Sequence, residues 1–486
     1  MNPGVKAIVI LSLSLAIGNN TSAQENPQVE NKVTMIEPNR ESMIELHESV
    51  TAMTPEQMMS YLPGHQTHVP YSWETPGHMR CVRGKGNWET ASDEIINTYA
   101  QVGNYIHCGV EAQRRMEPKY PDKFYSHAYM NLGKEFSRKE AADRNPEYYV
   151  YKKDGTLYLN GRYPYFNFKV PECRAYWLSE ARRQIDMEPK SDHVFIDGFA
   201  KAVAVSQDND SFYDYWGGKI GPEYMAEGVD PLLAAARDDF ADEVIIAGNI
   251  WRPTNIYNFS DDFNPEYLLD YVMKYTHLAY FEAWESGSQN AETVNNSLAH
   301  LQKITESGRM IRFNIRGGKP STRAVPLILD EMRVKAQTAM PDLWEKLDSE
   351  ERDELAHSYA YFDVKLAYFL IGAGEYSYLQ FDNPPRIIEA GTDMWRIKQP
   401  FPEYNMPLGR PLERAQKNGN IWTRRFEHLE VILDVGNGTA EYRKVKVSPN
   451  LEGKSTTTYD VSQEGNDSNN GKIADPNYIS PMRNAE

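Results

Sequence analysis

The sequence contains few cysteines, few basic residues relative to acidic ones, and few long apolar runs. Its 486 residues include three cysteines, Cys81, Cys108 and Cys173, in a spacing that suits neither a disulfide scaffold nor a zinc site. The 69 acidic residues outnumber the 52 basic ones and give a net charge of −17. This balance argues against a nucleic-acid partner, since phosphate binding needs a basic surface. We expect neither a metal nor another cofactor.

The longest uncharged apolar run lies at the N terminus. Residues 1–23 have the pattern of a signal peptide, because Lys6 supplies a positive charge, residues 7–17 are apolar, and Thr21 and Ala23 precede the expected cleavage site. The apolar run is too short to span a bilayer, and no later segment offers about 18 uninterrupted apolar residues. We therefore expect an exported protein, secreted or periplasmic, that does not insert into a membrane.

Aromatic residues are abundant, with 31 Tyr, 17 Phe and 9 Trp. Aromatic faces stack on the apolar faces of sugar rings, so this excess suits a carbohydrate-binding cleft. A tyrosine-rich core is the alternative explanation, since hydrophobic residues make up 41% of the chain and suffice for an ordinary globular core.

From residue 71 to residue 385, short apolar or aromatic runs alternate with helical patterns, as in βαβ units around a parallel sheet. The strands are predicted at residues 79–82, 104–107, 124–130, 193–197, 244–247, 278–282, 310–315 and 376–381. The helices are predicted at residues 91–101, 173–185, 231–240, 265–275, 291–307 and 351–372. This order predicts an α/β fold, a (β/α)8 TIM barrel, and the lack of a glycine-rich phosphate motif after the first strand disfavours a Rossmann fold.

The regions on either side of the predicted barrel differ from it in composition. Residues 24–70 are polar and are interpreted as an N-terminal extension with a short helix at 54–61. Residues 386–455 are interpreted as a small β-rich domain or appendage, with strands at 422–426, 429–434 and 439–447 and a turn at Gly436-Asn437-Gly438. Residues 456–486 are rich in Asn, Ser and Gly and are expected to form a flexible tail.

An acidic residue ends the fourth predicted strand. In the run His193-Val-Phe-Ile-Asp197, an apolar strand ends in a carboxylate, and Gly198 allows the chain to turn away. Strand ends converge on the active face of such a barrel, and an acidic residue is costly to bury without a function or a partner. We predict that Asp197 is catalytic, with a role as a loop cap or a salt-bridge partner as the structural alternative.

The sixth predicted strand also ends in a carboxylate. With a period of two, Tyr280 and Glu282 share one face of this strand, so Glu282 points inward like Asp197. Glycoside cleavage needs one carboxyl group to donate a proton and one carboxylate to stabilise an oxocarbenium-like centre. The pair therefore predicts glycoside hydrolysis with Glu282 as the acid/base. Glu285 in the following loop competes for that role, and a structural role for both glutamates is the alternative.

Several short motifs resemble those of bacterial (β/α)8-barrel glycoside hydrolases. They are Asn145-Pro-Glu-Tyr-Tyr-Val-Tyr-Lys-Lys-Asp-Gly155, Pro171-Glu-Cys-Arg-Ala-Tyr-Trp177, Val194-Phe-Ile-Asp-Gly198, Leu408-Gly-Arg-Pro-Leu412 and Trp422-Thr-Arg-Arg-Phe426. The resemblance covers roughly residues 70–445, and the long aromatic loop at 206–228 departs from it. It implies a strand-four nucleophile at Asp197, a strand-six acid/base at Glu282, a retaining mechanism and a small C-terminal β-domain.

Basic residues follow several predicted strands despite the acidic net charge. They are Arg80, Arg83, Lys85, Arg114, Arg115, Lys201, Arg252, Arg316 and Lys319. Arginine binds sulfate or carboxylate through paired donors, so we predict an anionic substrate such as a sulfated fucan or galactan. Ion pairs with acidic residues of the same loops, such as Glu111, are the alternative.

Further residues at strand ends are predicted to contact a polysaccharide or oligosaccharide substrate. They are His107, Tyr129, Asn131, Asn249, Trp251, Tyr280, Asn314, Gln380 and Asp382, in addition to Arg80, Lys201, Arg252, Glu285 and Arg316. Ordinary loop hydrogen bonding is the alternative for each. Two other functions stay open, a carbohydrate-binding barrel without catalysis and a polysaccharide lyase with a Tyr or His base.

Overall fold

The computed structural model describes residues 73–83, 91–133, 145–151, 155–157, 159–160, 163–198, 225–251, 273–282, 291–316, 329–382 and 401–445. The predicted signal peptide, N-terminal extension and C-terminal tail lie outside these residues, as does most of the helix predicted at 265–275.

Eleven strands and eight α-helices lie in the described residues as far as Asp382. The strands are β1 (Cys81–Arg83), β2 (Tyr105–His107), β3 (Phe124–Ser126), β4 (Ala128–Asn131), β5 (Leu159–Asn160), β6 (Tyr163–Pro164), β7 (His193–Asp197), β8 (Ile245–Trp251), β9 (Leu278–Phe281), β10 (Met310–Arg316) and β11 (Tyr378–Asp382). The helices are α1 (Asp93–Val102), α2 (Val110–Met116), α3 (Pro171–Ile185), α4 (Asp230–Phe240), α5 (Ala291–Glu306), α6 (Leu329–Ala339), α7 (Pro341–Trp344) and α8 (Ser349–Gly372). The predicted strands are confirmed to within a few residues, with the strand predicted at 124–130 divided into β3 and β4. The elements that were not predicted are β5, β6, α2, α6 and α7.

Apart from β5 and β6, which pair antiparallel with each other, the described strands from β1 to β11 pair in parallel, as in a mixed α/β fold. One sheet has the order β1-β2-β3, and a second has the order β11-β10-β9-β8-β7-β4. Only His127 separates β3 from β4, and Arg80, next to β1, forms a parallel bridge with Leu379 of β11. Parallel pairing among the described strands therefore runs from β1 through to β11 and returns from β11 to the residue before β1.

The period of two along these strands separates two packing environments. On β7, Val194 and Ile196 face outward and join the large core formed with the helices, while Phe195 faces inward. The inner cluster consists of Cys81, Tyr105, Phe124, Phe195, Ile245, Ala247, Leu278, Tyr280, Met310 and Tyr378. The side chains of this inner cluster fill the space below the carboxyl ends of the strands.

An antiparallel sheet follows the α/β region and packs against α8. Its strands, in the order of pairing, are β12 (Gln416–Asn418), β13 (Ile421–Arg425), β14 (Leu429–Asp434) and β15 (Thr439–Lys444). On β14, Leu429, Val431 and Leu433 are buried while the residues between them are partly exposed. The predicted strands of the C-terminal β-region are thereby confirmed, with β12 as an addition.

Helix α8 is 24 residues long and is buried along almost all of its length from Leu355 onward. Asp348 caps its first turn and forms a capping box with Glu351. A helix that is buried all round belongs to the interior of a large fold, as this one does between α6 and the C-terminal sheet. Among the described helices, none combines the length and apolar character that crossing a membrane requires.

A buried carboxyl group lies where residues 402–405 pack against α8. Glu403 is 8% exposed, its Oε1 accepts a hydrogen bond from the Tyr359 hydroxyl, and its Oε2 has no partner among the described residues. Burial raises the pKa of Glu403, because it disfavours the charged form more than the hydroxyl of Tyr359 favours it.

This raised pKa predicts a pH-dependent loss of stability. The folded state holds a proton on Glu403 more tightly than the unfolded state does, and this difference stabilises the folded state. The stabilisation is fully present below the ordinary Glu pKa of about 4.3 and is lost as pH rises through the folded-state pKa. We expect Glu403→Gln to be more stable than wild type near pH 8 and to lack this pH dependence, as measured by urea unfolding from pH 5 to 8. The exposed Glu345→Gln is the control and should follow wild type, whereas a Glu403→Gln variant that is destabilised at every pH would contradict the prediction.

Candidate active site

Three neighbouring strands bring Asp197, Asn249 and Glu282 together. Asp197 is the last residue of β7, Asn249 lies on β8, and Glu282 directly follows β9. These strands pair in parallel, with Asn249 in register with Tyr280 and a register shift between Asn249 and Trp251. By strand alternation the three side chains point to the same interior as Phe195, Ala247 and Tyr280.

Gly198 ends the strand that carries Asp197. Its φ of 78° lies in the left-handed region that favours glycine, and a Cβ at this position would lie 3.2 Å from Asn131 Oδ1. Its backbone N–H donates to Asp197 Oδ1 at 2.7 Å. The glycine therefore turns the chain away from the strand and at the same time orients the carboxylate.

Asp197 accepts four hydrogen bonds. Besides Gly198, Asn249 Nδ2 donates to Asp197 Oδ1 at 2.8 Å, the Tyr129 hydroxyl donates to Oδ2, and Asn131 Nδ2 lies 3.4 Å from Oδ2. Together these donors fix the plane of the carboxyl group. Each carboxylate oxygen therefore accepts two hydrogen bonds, and the contact between Oδ2 and Asn131 is the longest of the four.

Glu282 shares a donor with Asp197. Asn249 Nδ2 donates to Glu282 Oε2 at 3.0 Å, so one amide group bridges both carboxylates. Asp197 Oδ1 and Glu282 Oε2 are consequently less than about 6 Å apart, and about 5 Å apart if the two N–H bonds spread at the ordinary amide angle. The carboxyl groups of the two predicted catalytic residues are thus neighbours, and both accept a hydrogen bond from the Asn249 amide.

Tyr129 is a protonated donor at this site. Burial raises the pKa of its hydroxyl, and the charge of Asp197 and the hydrogen bond to it raise the pKa further. Its ring stacks on Phe195, with the ring centroids 5.8 Å apart. The hydroxyl is therefore held in place to donate to Asp197.

A polar cluster lies among the inward-facing side chains of the strands. Tyr105 Oη and His193 Nε2 lie 2.9 Å apart, Arg312 Nη1 donates to Tyr105 Oη at 3.3 Å, and Arg312 Nε donates to Gln380 Oε1 at 2.7 Å. The guanidinium of Arg312 also lies 4.7 Å from the ring centroid of Tyr280. A fully buried positive charge is thereby held on the interior face of β10.

Two histidines face this buried charge and stay neutral. Burial, and then the charge of Arg312, lower the pKa values of His107 and His193 well below the ordinary histidine value. His107 Nδ1 lies 3.0 Å from Ser126 Oγ, which in turn lies 3.3 Å from His193 Nε2. His107, a predicted substrate contact, therefore belongs to an internal hydrogen-bonded chain.

The other predicted substrate contacts lie at different depths. Tyr280 and Gln380 are buried against Arg312, and Asn314 on β10 is fully buried. Trp251, Arg316 and Asp382 end β8, β10 and β11, but their side chains lie outside the described part of the chain. Lys201, Arg252 and Glu285 also lie outside the described residues.

The prediction that Arg80 follows the first strand was wrong. Arg80 precedes β1, is 6% exposed, and has its guanidinium 4.4 Å from the ring centroid of Tyr404. It pairs with Leu379, the second residue of β11, so it lies toward the amino ends of these strands. Packing against an aromatic ring, rather than a position on the active face, accounts for this arginine.

Two other basic residues that were predicted to lie on the active face form ion pairs with acidic residues instead. Arg114 forms an ion pair with Glu111, and Arg115 forms one with Asp93 at 2.6 Å. Arg83 ends β1 and has an exposed side chain, while Lys85 and Lys319 lie outside the described residues. The ion-pair interpretation therefore holds for Arg114 and Arg115.

The polar cluster around Arg312 was missed from the sequence, although a signal existed. Arg312 alternates with Ile311 and Phe313 and shares the face of Met310 and Asn314, which places it in the interior once β10 is assigned.

Within the described residues, no cluster of three or more His, Cys, Asp or Glu side chains is arranged to hold a metal ion.

Comparison with solved structures gives 88 matching chains. A maltogenic α-amylase from Thermotoga neapolitana matches at 8% identity and a TM-score of 0.39, over 76% of this chain and 94% of that chain. A GH36 α-galactosidase from Geobacillus stearothermophilus matches at 9% identity and a TM-score of 0.38, over 82% of this chain and 51% of that chain. The chain thus spans about half the length of this α-galactosidase.

Comparison with protein sequences gives one family. Residues 119–430 match the model described as "Hypothetical glycosyl hydrolase family 15", a range that includes Asp197, Asn249 and Glu282. Among curated proteins, none matches the sequence at a significant level.

Proposed function

Because the chain belongs to hypothetical glycosyl hydrolase family 15, we propose that it is a glycoside hydrolase that cleaves a polysaccharide at the pair formed by Asp197 and Glu282. The observation that carries this proposal is the Asn249 amide, whose nitrogen lies 2.8 Å from Asp197 Oδ1 and 3.0 Å from Glu282 Oε2. Two carboxyl groups flanking one small space are what glycosidic cleavage requires.

The proposed mechanism is retaining. Carboxyl groups about 5–5.5 Å apart suit a covalent intermediate, and the Asn249 bridge supports a separation of this size. Asp197 attacks the anomeric carbon as the glycosidic C–O bond breaks, and Glu282 gives its proton to the leaving oxygen. Glu282 then takes a proton from water, which attacks the anomeric carbon and releases Asp197.

The fold we propose for this activity is a closed (β/α)8 barrel with a small C-terminal β-domain. Its support is the parallel pairing from β1 to β11 together with the bridge between Arg80 and Leu379. In such a barrel the carboxyl ends of the strands carry the active site, which agrees with the positions of Asp197 and Glu282. We further propose that the enzyme acts after export, on the basis of the pattern in residues 1–23.

A substrate screen tests the proposed activity. Purified protein is incubated with neutral, uronic and sulfated polysaccharides, and new reducing ends and absorbance at 235 nm are scored together. We expect new reducing ends without unsaturated products. Unsaturated products would instead indicate a lyase, and binding without either product would indicate a carbohydrate-binding protein.

We also propose that the glycan is anionic. Arg83 supports this, because it is exposed at the carboxyl end of β1, in register with His107, and its charge acts on Tyr129 beside Asp197. An exposed guanidinium at this edge suits a sulfate or carboxylate group of the substrate.

The anionic substrate predicts a specific effect of replacing Arg83. We expect Arg83→Ala to raise KM several-fold with little change in kcat, because such a contact holds the ground state and the transition state alike. Added salt should raise the KM of wild type more than that of the variant, since exposed ion pairs are screened. Arg114→Ala, which removes an ion-paired arginine, is the control. Full wild-type activity on a neutral glucan, unchanged by salt, would rule out the anionic substrate.

A further inference from the structure

Asn249 joins the two carboxylates through a single amide group, and we propose that it is a positioning residue that holds them at the separation of a retaining glycosidase. This inference rests on the proposed function, since it concerns the same pair of carboxyl groups. It assigns to Asn249 a different role from the substrate contact that its place at the end of a predicted strand suggested.

The spacing of the strands shows why such a residue is needed. Asp197 ends β7 and Glu282 follows β9, so β8 lies between their backbones. Neighbouring strands lie about 4.8 Å apart, which puts the two backbones about 9–10 Å from each other. Carboxyl groups separated by about 6.5–9.5 Å leave room for a water molecule and belong to inverting enzymes. The two side chains must therefore lean toward each other to reach the retaining distance.

Asn249 occupies the position between them. It lies on β8, is 8% exposed, and its Nδ2 is 2.8 Å from Asp197 Oδ1 and 3.0 Å from Glu282 Oε2. The opposite orientation of the amide would direct its oxygen at the carboxylate of Asp197, so electrostatics selects the orientation with the NH2 group between the two carboxyl groups. Both N–H bonds are engaged by the carboxylates, which leaves only Oδ1 of the amide for another contact.

Strand β8 carries no ionisable side chain, and the ionisable groups on the other described strands stay unchanged in the test. They include Arg83 on β1, His107 on β2, Tyr129 on β4, His193 on β7, Tyr280 on β9 and Arg312 on β10. Any change in pH dependence on replacing Asn249 is therefore attributable to the amide and the two carboxylates that it contacts.

The first measurement does not depend on a substrate. Crystal structures of wild type and Asn249→Ala give the distance from Asp197 Oδ1 to Glu282 Oε2 directly. We expect this distance to be about 5 Å in wild type and to exceed about 6 Å in the variant, because the shared donor is lost. An unchanged distance in the variant would overturn the proposal.

The second measurement uses the 4-nitrophenyl glycoside that wild type cleaves fastest. We expect Asn249→Ala to lower kcat about 100-fold with KM nearly unchanged, since misplacement by about 1 Å has effects of this size. A higher KM with unchanged kcat would instead identify a substrate contact and overturn the proposal. Asn295→Ala is the matched control, because the Asn295 amide also bridges two groups, Trp422 and Asn420, away from the site.

The third measurement is the pH profile of Asn249→Asp, which keeps the shape of the side chain. An ionised Asp at position 249 repels the carboxylate of Asp197 and offers no donor to either carboxyl group, whereas a protonated one supplies a single donor. We expect the activity of this variant relative to wild type to rise as pH falls from about 8 to about 5, while that of Asn249→Ala stays flat. If the activity of Asn249→Asp relative to wild type were the same at every pH, the positioning role would be contradicted.

Failure of the proposed function gives a different set of results. If wild type cleaves no glycoside, or if Asp197→Asn is fully active, the glycoside hydrolase proposal fails whatever the distance is. If Asp197→Asn and Glu282→Gln are inactive while Asn249→Ala behaves as wild type, only the positioning role of Asn249 fails.

Discussion

Replacement of Asp197 by Asn is expected to abolish turnover, and replacement of Glu282 by Gln to lower kcat about 10²–10⁴-fold, with both variants folded as wild type. Both changes keep the shape of the side chain and remove its ability to ionise. In the proposed retaining mechanism, the covalent intermediate cannot form without a carboxylate at 197, and the leaving oxygen receives no proton without a carboxyl group at 282. The measurements are kcat and KM on the polysaccharide found in the screen, with circular dichroism as the check on folding.

The two roles are separated by the leaving group and by azide. Substrates with a good leaving group need little protonation, so they should restore much of the activity of Glu282→Gln but none of that of Asp197→Asn. Azide should restore turnover to both alanine and glycine variants. The glycosyl azide formed by Glu282→Ala should have the anomeric configuration of the substrate, and the one formed by Asp197→Gly should have the opposite configuration. Asp238→Asn, an exposed carboxylate on α4 that pairs with Arg237, is the control and should keep wild-type activity. Full activity of either active-site variant would remove that residue from the mechanism.

The positions of these two carboxylates were predictable because they depend on local pattern. An apolar run that ends in Asp197 and Gly198 identifies both the strand and the residue at its end, and the structure places the strand at His193–Asp197 as predicted. The period of two then decides which side chains face inward, so Glu282 and Asn249 follow from the same argument. Their mutual contact through one amide did not follow, because it depends on the register of three strands and on side-chain conformation.

The features that were missed depend on packing between distant parts of the chain. Helix α2 is only seven residues long and lacks a side-chain cap, so little in its sequence marks it as a helix. The polar cluster around Arg312 was missed because charged residues in a strand suggest a solvent-facing side chain, whereas Tyr105, Tyr280 and Gln380 surround this one. Arg80 was misplaced because the first strand begins at Cys81, two residues later than predicted, so Arg80 precedes the strand and does not lie at its carboxyl end.

Arg424 connects the C-terminal sheet to the α/β region. It lies on β13, is 2% exposed, and its Nη1 donates to the backbone oxygens of Leu370, Ile371 and Ala373 at 2.8, 3.2 and 2.7 Å. These oxygens belong to the end of α8, where backbone acceptors have no partner within the helix and carry a partial negative charge. A buried guanidinium here supplies both the donors and the positive charge that the helix end requires.

We expect Arg424→Met to lower the free energy of unfolding by about 3–5 kcal/mol, because it leaves buried carbonyl oxygens without a donor and removes packing on Phe426. Arg424→Lys should recover part of this loss, since an ammonium group restores the charge but reaches fewer of the three oxygens. The exposed neighbour Arg425→Met is the control and should stay within about 0.5 kcal/mol of wild type in urea unfolding. Because α8 leads into the amino end of β11, away from Asp197 and Glu282, the folded fraction of Arg424→Met should keep the kcat of wild type. A stability equal to that of the Arg425 variant would mean that the sheet is held to α8 by its apolar face alone.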